Sequence, residues 1–259
     1  MNSPRLSILS SLPFLCRFAA FLLGLSFLAG CGQGSAQPAA SAEQQQPASA
    51  GVTAQAVEIR GADVSNWQGK GVDFASLKSA GVSFVFVKAT QGATGVDADY
   101  ASDVRKAQAA GLATGSYHFY MTDDTPEAQF RNFSRCISMQ AGDLPPVVDI
   151  EVLSKNSRPE LAADLKRFLD MIERHYRVKP IIYSGESFAN EYLKGFSDYP
   201  LWLAEYSDRP APVLPLDWKT WTFWQHTQSG RVNGIPGEAD LNRFNGNAQS
   251  LEKLLVRAQ

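Results

Sequence analysis

From Glu58 onward, short runs rich in β-branched and aromatic residues alternate with stretches whose apolar positions recur at helical spacing. That alternation is the pattern of parallel strands joined by helical crossovers. The first five strand runs cover residues 59–64, 82–89, 115–119, 146–151 and 180–184. Each precedes a predicted helix, over residues 73–81, 99–110, from Thr125 onward, 159–176 and 188–193. Gly111 supplies a C-cap for the second helix, and Thr125 followed by Pro126 supplies an N-cap with proline at the first helical position for the third. Three further strand-like runs, 201–206, 221–226 and 239–244, have no convincing helix between them. The pattern predicts an α/β fold: a closed, TIM-like β/α barrel over residues 57–259, with five β/α units followed by three strands largely lacking helices.

The strand runs begin apolar, and polar or aromatic side chains mark what reads as their C-terminal ends: Asp63, Lys88, His118, Asp149 with Glu151, Tyr183, Tyr206, Gln225 with His226, and Asp240. In a β/α barrel those ends converge on the face that carries the site. Asp149-Ile150-Glu151 is the sharpest feature, because alternate residues of a strand face the same way and both carboxylates then share one side. Two carboxylates in a poorly hydrated barrel mouth cannot both ionise cheaply, which leaves one protonated acid beside one anion. Glycoside cleavage uses such a pair. Asp63 and Asp240 fall on the first and last strands, which are neighbours once a barrel closes. Trp202, Tyr206, Trp221 and Trp224 offer aromatic faces suited either to sugar rings or to core packing. His118 and His226 are placed to hydrogen-bond a substrate or a carboxylate. The three histidines lack metal-site spacing, so no metal or other cofactor is expected.

Residues 1–30 read differently, with Arg5 and Arg17 flanking an apolar run over 18–29 that ends in the tetrapeptide LAGC at Cys31. The run is too short to span a bilayer comfortably, which needs ~20 residues, and fits a signal peptide. Its end resembles a lipoprotein cleavage site, which implies lipidation at Cys31; a plain secretory signal is the alternative. Residues 31–56 are mostly Gly, Ala, Ser, Gln and Pro and lack any apolar face, a linker composition. Cys16 leaves with the signal and Cys31 is acylated on this reading, so Cys136 remains alone and no internal disulfide forms. Hydrophobic residues make up 44% of the chain, enough for one large domain, and a formal charge of −2 gives no electrostatic footprint for nucleic acid.

Over residues 59–255 the chain resembles the glycoside hydrolase family 25 lysozymes of the Chalaropsis type. The runs that carry the resemblance are GADVSNWQG, FVFVKATQG, GSYHFY, GDLPPVVDIE, KPIIYSG, PLWLAEY, WQHT and ADLNRF, in that order. The resemblance implies hydrolysis of the β-1,4 bond between N-acetylmuramic acid and N-acetylglucosamine in peptidoglycan. It implies Glu151 as general acid and Asp149 as its partner carboxylate, with Asp63 and Asp240 alongside. Asp149 then either stabilises the oxocarbenium-like transition state by its charge or orients the substrate's 2-acetamido group. Tyr117, His118, Tyr183, Trp202, Tyr206, Gln225 and Lys88 are the expected substrate-binding residues. Gln91 and His226 depart from the commonest family pattern, which has Glu and Tyr at those positions. The expected protein is a monomeric cell-envelope lipoprotein, held in the outer membrane if its host has two membranes, with its catalytic domain outside the cytoplasm. A wall-binding lipoprotein without activity and a barrel enzyme acting on chitin-like oligomers are the other readings.

Overall fold

A computed structural model describes residues 58–155, 157 and 160–257; the expected signal peptide, Cys31 and linker lie outside these, as does the expected start of the long helix at Pro159. The chain runs through β1 (Ile59–Val64), a 3-10 helix (Asn66–Gly71), α1 (Phe74–Ser79), β2 (Val82–Gln91), β3 (Gly95–Val96), α2 (Tyr100–Ala109) and β4 (Ala113–Phe119). It continues through α3 (Pro126–Cys136), β5 (Val147–Asp149), α4 (Leu161–Tyr176), β6 (Ile181–Gly185), α5 (Glu186–Tyr192), β7 (Leu201–Ala204), β8 (Phe223–Gly230), β9 (Ala239–Phe244) and α6 (Ala248–Leu254). The anticipated caps form: Thr125 Oγ1 accepts from the Ala128 amide ahead of α3, and Gly111, at φ 73°, turns the chain out of α2.

Eight strands close into a barrel in the order β1, β2, β4, β5, β6, β7, β8, β9, with β1 paired to both β2 and β9; β3 is a short flap folded antiparallel onto the end of β2. All neighbours pair in parallel except β9, which runs antiparallel to β8 and β1. This departs from an all-parallel TIM barrel. The reason is the connection: β8 ends at Gly230 and β9 begins at Ala239 with no helix between, whereas a parallel return needs a crossover of about a dozen residues or more.

Strand alternation divides the core into two bodies. Outside the barrel, Val85, Val87, Val148, Ile150, Ile182 and Leu203 pack against the helices. Inside, Phe84, Phe86, Trp202 and Phe223 fill the lumen, with Phe86 stacked on Trp202 at 4.3 Å between ring centroids and Phe84 against Phe223 at 4.9 Å. These rings fit because two facing residues have no side chain: a Cβ on Gly61 would lie 2.2 Å from the Phe84 ring, and one on Gly115 would lie 2.4 Å from Phe86. At the floor, where most strands begin, Leu251 and Leu254 of α6 pack onto the same lumen cluster. This helix has no counterpart in the sequence-based expectation. Asn247 starts it with a capping box shared with Ser250.

Candidate active site

At the other end of the lumen the inward positions become polar. Asp63, Lys88, Tyr117, Asp149, Tyr183 and Gln225 continue the alternation of Gly61, Phe86, Gly115, Val147, Ile181 and Phe223. Asp240 arrives there by the opposite route. It is second in β9, at the beginning of its strand instead of the end, and the reversed direction of β9 sets it directly across from Asp63. The aromatic layer below denies these groups water from beneath.

Asp63 is the hub of a hydrogen-bonded network. Tyr183 and Tyr206 hydroxyls both donate to Gln225 Oε1 at 2.8 Å. With its oxygen thus engaged, Gln225 turns its amide Nε2 toward Asp63 and donates at 3.0 and 3.2 Å to the two carboxylate oxygens. Trp202 Nε1 donates to Asn242 Oδ1 at 2.8 Å, and Asn242 Nδ2 donates to Asp63 Oδ2 at 2.7 Å. Burial and the nearby charges of Asp240 and Glu151 nevertheless push the Asp63 carboxyl well above its ordinary value, against the pull of both amides.

The Asp149–Glu151 segment is pinned by its backbone. The Tyr120 amide donates to the Asp149 carbonyl at 2.8 Å, the Ile150 amide donates to the Tyr183 carbonyl at 3.0 Å, and Ser184 Oγ donates to the Ile150 carbonyl at 2.7 Å. Ile150 is fully buried among the outer apolar residues, so the carboxylates on either side of it face the mouth. They differ in setting. Asp149 is buried, and its Oδ1 has no hydrogen-bond partner among the described residues; burial and the charge of Glu151 raise its pKa well above the ordinary value. Glu151 stands exposed at the rim, yet lost hydration at its carboxyl also raises its pKa. Burial and the Glu151 charge bring Asp240 up to about 6. Lys88 opposes the rise at both Asp149 and Glu151. Its ammonium donates to Gln91 Oε1 at 2.9 Å and lies 4.9 Å from the centre of the Phe119 ring. Four carboxyls with raised pKa values beside one lysine form a mouth that holds protons at mildly acidic pH.

Some expected binding residues lie elsewhere. His118 is on the outer face of β4: Nδ1 is 2.7 Å from Thr90 Oγ1, Nε2 is 3.1 Å from Gln129 Oε1, and its ring packs on Phe133 and Phe168. Strand parity sends it away from the mouth that Tyr117 faces, and burial lowers its pKa to about 4. His226 sets its ring edge-on to Trp224, with Arg243 and Glu58 as charged neighbours instead of the mouth carboxylates. Trp202 is 2% exposed, so it forms the bed of the site and offers no free face to a sugar. Trp224 is buried outside the barrel with Nε1 donating to the Glu205 carbonyl. Tyr117 stands edge-on to Trp202 in the lumen, and Tyr206 keeps 48% of its surface open at the rim.

Asn242, which sequence reasoning passed over, belongs here. Asn242 was detectable, because Asp240-Leu241-Asn242 repeats the alternate-residue logic of Asp149-Ile150-Glu151. Trp67, four residues beyond Asp63 in the GADVSNWQG run, is 80% exposed. Beside Lys88, a cavity of about 370 Å³ is lined by Asn66, Gln91, Asp97, Met121 and Asp124, among others. Larger clefts, of about 420 and 500 Å³, lie near the floor, away from the carboxyls. Among the described residues, no three or more His, Cys, Asp or Glu side chains are arranged to hold a metal ion.

The sequence profile described as glycosyl hydrolases family 25 matches residues 62–235. Uncharacterized protein YegX of Escherichia coli strain K12 is 36% identical over 200 residues, covering 75% of this chain and 72% of that protein. Lysozyme M1 of Streptomyces globisporus is 31% identical over 207 residues, covering 74% and 70%. Among solved structures, the bacterial lysozyme from Streptomyces coelicolor superposes with a TM-score of 0.71 at 32% identity, covering 76% of this chain and 96% of that one.

Proposed function

Because the chain belongs to glycosyl hydrolases family 25, we propose that it is a muramidase, hydrolysing the β-1,4 bond from N-acetylmuramic acid to N-acetylglucosamine in peptidoglycan. The observation that carries this reading is the pairing of a rim carboxyl, Glu151, with a buried one, Asp149, on the same side of one pinned segment. Glu151 is the group a polymer lying across the rim can reach, and its raised pKa suits a proton donor. It protonates the glycosidic oxygen as the bond to the anomeric carbon breaks, and water completes the hydrolysis. Asp149, held below with an uncommitted oxygen, places negative charge beside the oxocarbenium-like transition state. Asp63 and Asp240 complete the acidic mouth around the pair, their own carboxyls raised by burial and by the Glu151 charge. Lys88 tempers the set, Tyr117 and Tyr206 contact substrate, and Tyr183, Gln225 and Trp202 hold the network in place. The exposed ring of Trp67 adds a sugar platform.

The same proposal covers the rest of the chain. Residues 1–30 direct export, Cys31 is lipidated, and the linker tethers a monomeric catalytic domain to an envelope membrane, the outer one in a host with two. A coil of about 25 residues gives a root-mean-square reach of roughly 25–30 Å.

Incubating the protein with purified sacculi and identifying the released fragments by mass spectrometry tests the reaction. Muropeptides with muramic acid at the reducing end are expected. Ends bearing N-acetylglucosamine, or tight binding with no release, contradict it. Loss of membrane retention in Cys31→Ala is the result expected for the anchor.

A further inference from the structure

The mouth of the barrel and one cleft of its floor carry opposite charge, although Asp198 and Asp217 border the neighbouring floor cleft. The mouth gathers Asp63, Asp149, Glu151 and Asp240, whereas a cleft of about 500 Å³ at the floor is bordered by Arg177, Lys179, Lys253 and Arg257. All four are exposed, and none lies within ion-pair distance of a carboxylate among the described residues. Lys179 donates to a main-chain carbonyl, that of Asp198. Arg177 ends α4 at φ 58°, the one positive φ outside glycine among the described residues, at a position where glycine is usual. The chain places a guanidinium there instead. Between the charges the cleft is apolar, with Leu254 and Val256 half-buried in its wall. Cations around an apolar centre match an anionic phospholipid surface, in which phosphates lie above acyl chains.

The path of the chain selects the same face. β1 starts at Ile59 on the floor, the end of the barrel at which β5, β6 and β7 also begin, between β2 and β9. The chain therefore enters the described domain at its floor.

We propose that the floor cleft docks the domain on an anionic phospholipid membrane, so that the barrel stands with its carboxylate mouth turned away from the bilayer. The negative mouth is repelled by the surface that attracts the floor, so one orientation is favoured. This inference reaches beyond the muramidase reading and does not depend on it. It requires the domain to work near a membrane, as the anchor proposal has it.

The test uses the Thr53–Gln259 portion, a unit of its own whose fold spans 96% of a whole solved lysozyme chain. It is floated with vesicles of phosphatidylglycerol and phosphatidylethanolamine, and in parallel with phosphatidylcholine vesicles. Flotation is expected with the anionic vesicles at low salt. It is expected to fail with neutral vesicles and in 1 M salt, where the screening length falls to about 3 Å. Each of Arg177→Gln, Lys179→Gln, Lys253→Gln and Arg257→Gln is expected to weaken partitioning by up to about fivefold. An unchanged circular dichroism melt keeps misfolding out of the reading. The inference is overturned by absence of flotation with anionic vesicles, by flotation left intact when all four substitutions are combined, or by charge-dependent binding to sacculi alone. Digestion of sacculi by the same portion reports on the muramidase reading separately.

Discussion

Tyr117 and His118 are neighbours in β4, and their side chains leave the strand in opposite directions, one into the lumen and one toward the helices. The two regions they enter are built by different rules. Outside, the apolar layer runs unbroken to the strand ends, and its one buried histidine has a partner on each ring nitrogen, Thr90 and Gln129. Inside, an aromatic middle gives way to ionisable side chains, and one buried carboxylate oxygen, Asp149 Oδ1, is left without a partner among the described residues. Buried polar groups are normally satisfied, and the exceptions cluster where substrate or transition state completes the set. The outer face thus holds the barrel together, and the mouth retains an electrostatic cost that the fold alone does not relieve.

Substitutions on the two faces sharpen that contrast. The largest effect on turnover is expected from Glu151→Gln, a loss of roughly a hundred- to ten-thousand-fold with the melting temperature preserved, read as muropeptide release from sacculi alongside calorimetry. Near-normal release would remove Glu151 from the mechanism. In the aromatic middle, Phe86→Ala is expected to cost about 3–5 kcal/mol of stability, measured by denaturant unfolding, because the ring that fills the space over Gly115 and stacks on Trp202 is lost. On the outer face, His118→Ala is expected to cost about 1–3 kcal/mol by taking from the buried Thr90 hydroxyl its ring-nitrogen partner and from Gln129 Oε1 one of its contacts, with turnover per folded molecule unchanged. A fall in turnover without a fall in stability would put His118 back in the site.

The smallest effect is a pH dependence of stability. The mouth carboxyls have raised pKa values in the folded state, so ionising them costs the folded state more than the unfolded one. The stability they permit is complete below the ordinary carboxylate range, about 4, and declines as pH rises through about 6 at Asp240. The melting temperature should drop between about pH 4 and about pH 6, and Asp240→Asn should flatten that drop. A melting temperature that rises over this interval would reverse the sign.

Much of this was legible in the chain because alternation is a local signal. Residues two apart on a strand share a face, which was enough to bring Asp149 and Glu151 together and to separate them from Ile150. The direction of β9 was not legible, since a short strand reads alike both ways. It is fixed by what joins it to β8: residues 231–238 are too few for a parallel crossover, so the pairing is antiparallel. His118 departs from the expected mouth for a related reason: it is polar at a strand end, but its parity is opposite to that of Tyr117, which sends it to Thr90 and Gln129. Trp202 looked like a sugar platform because tryptophan suits either role, and only the closed barrel shows that its ring is already stacked on Phe86. The α6 plug depends on a lumen open at the floor, which exists only once the strands close.

The mouth retains a proton where isolated carboxyls would have lost theirs. Labelling the aspartate and glutamate side-chain carboxyl carbons with carbon-13 and following their shifts with pH measures this directly, with Asp63→Asn, Asp149→Asn, Glu151→Gln and Asp240→Asn assigning the signals. The account predicts that these carboxyls titrate late, with at least one still protonated at about pH 6, the value for Asp240. Four simple titrations near the ordinary value of about 4 would contradict it.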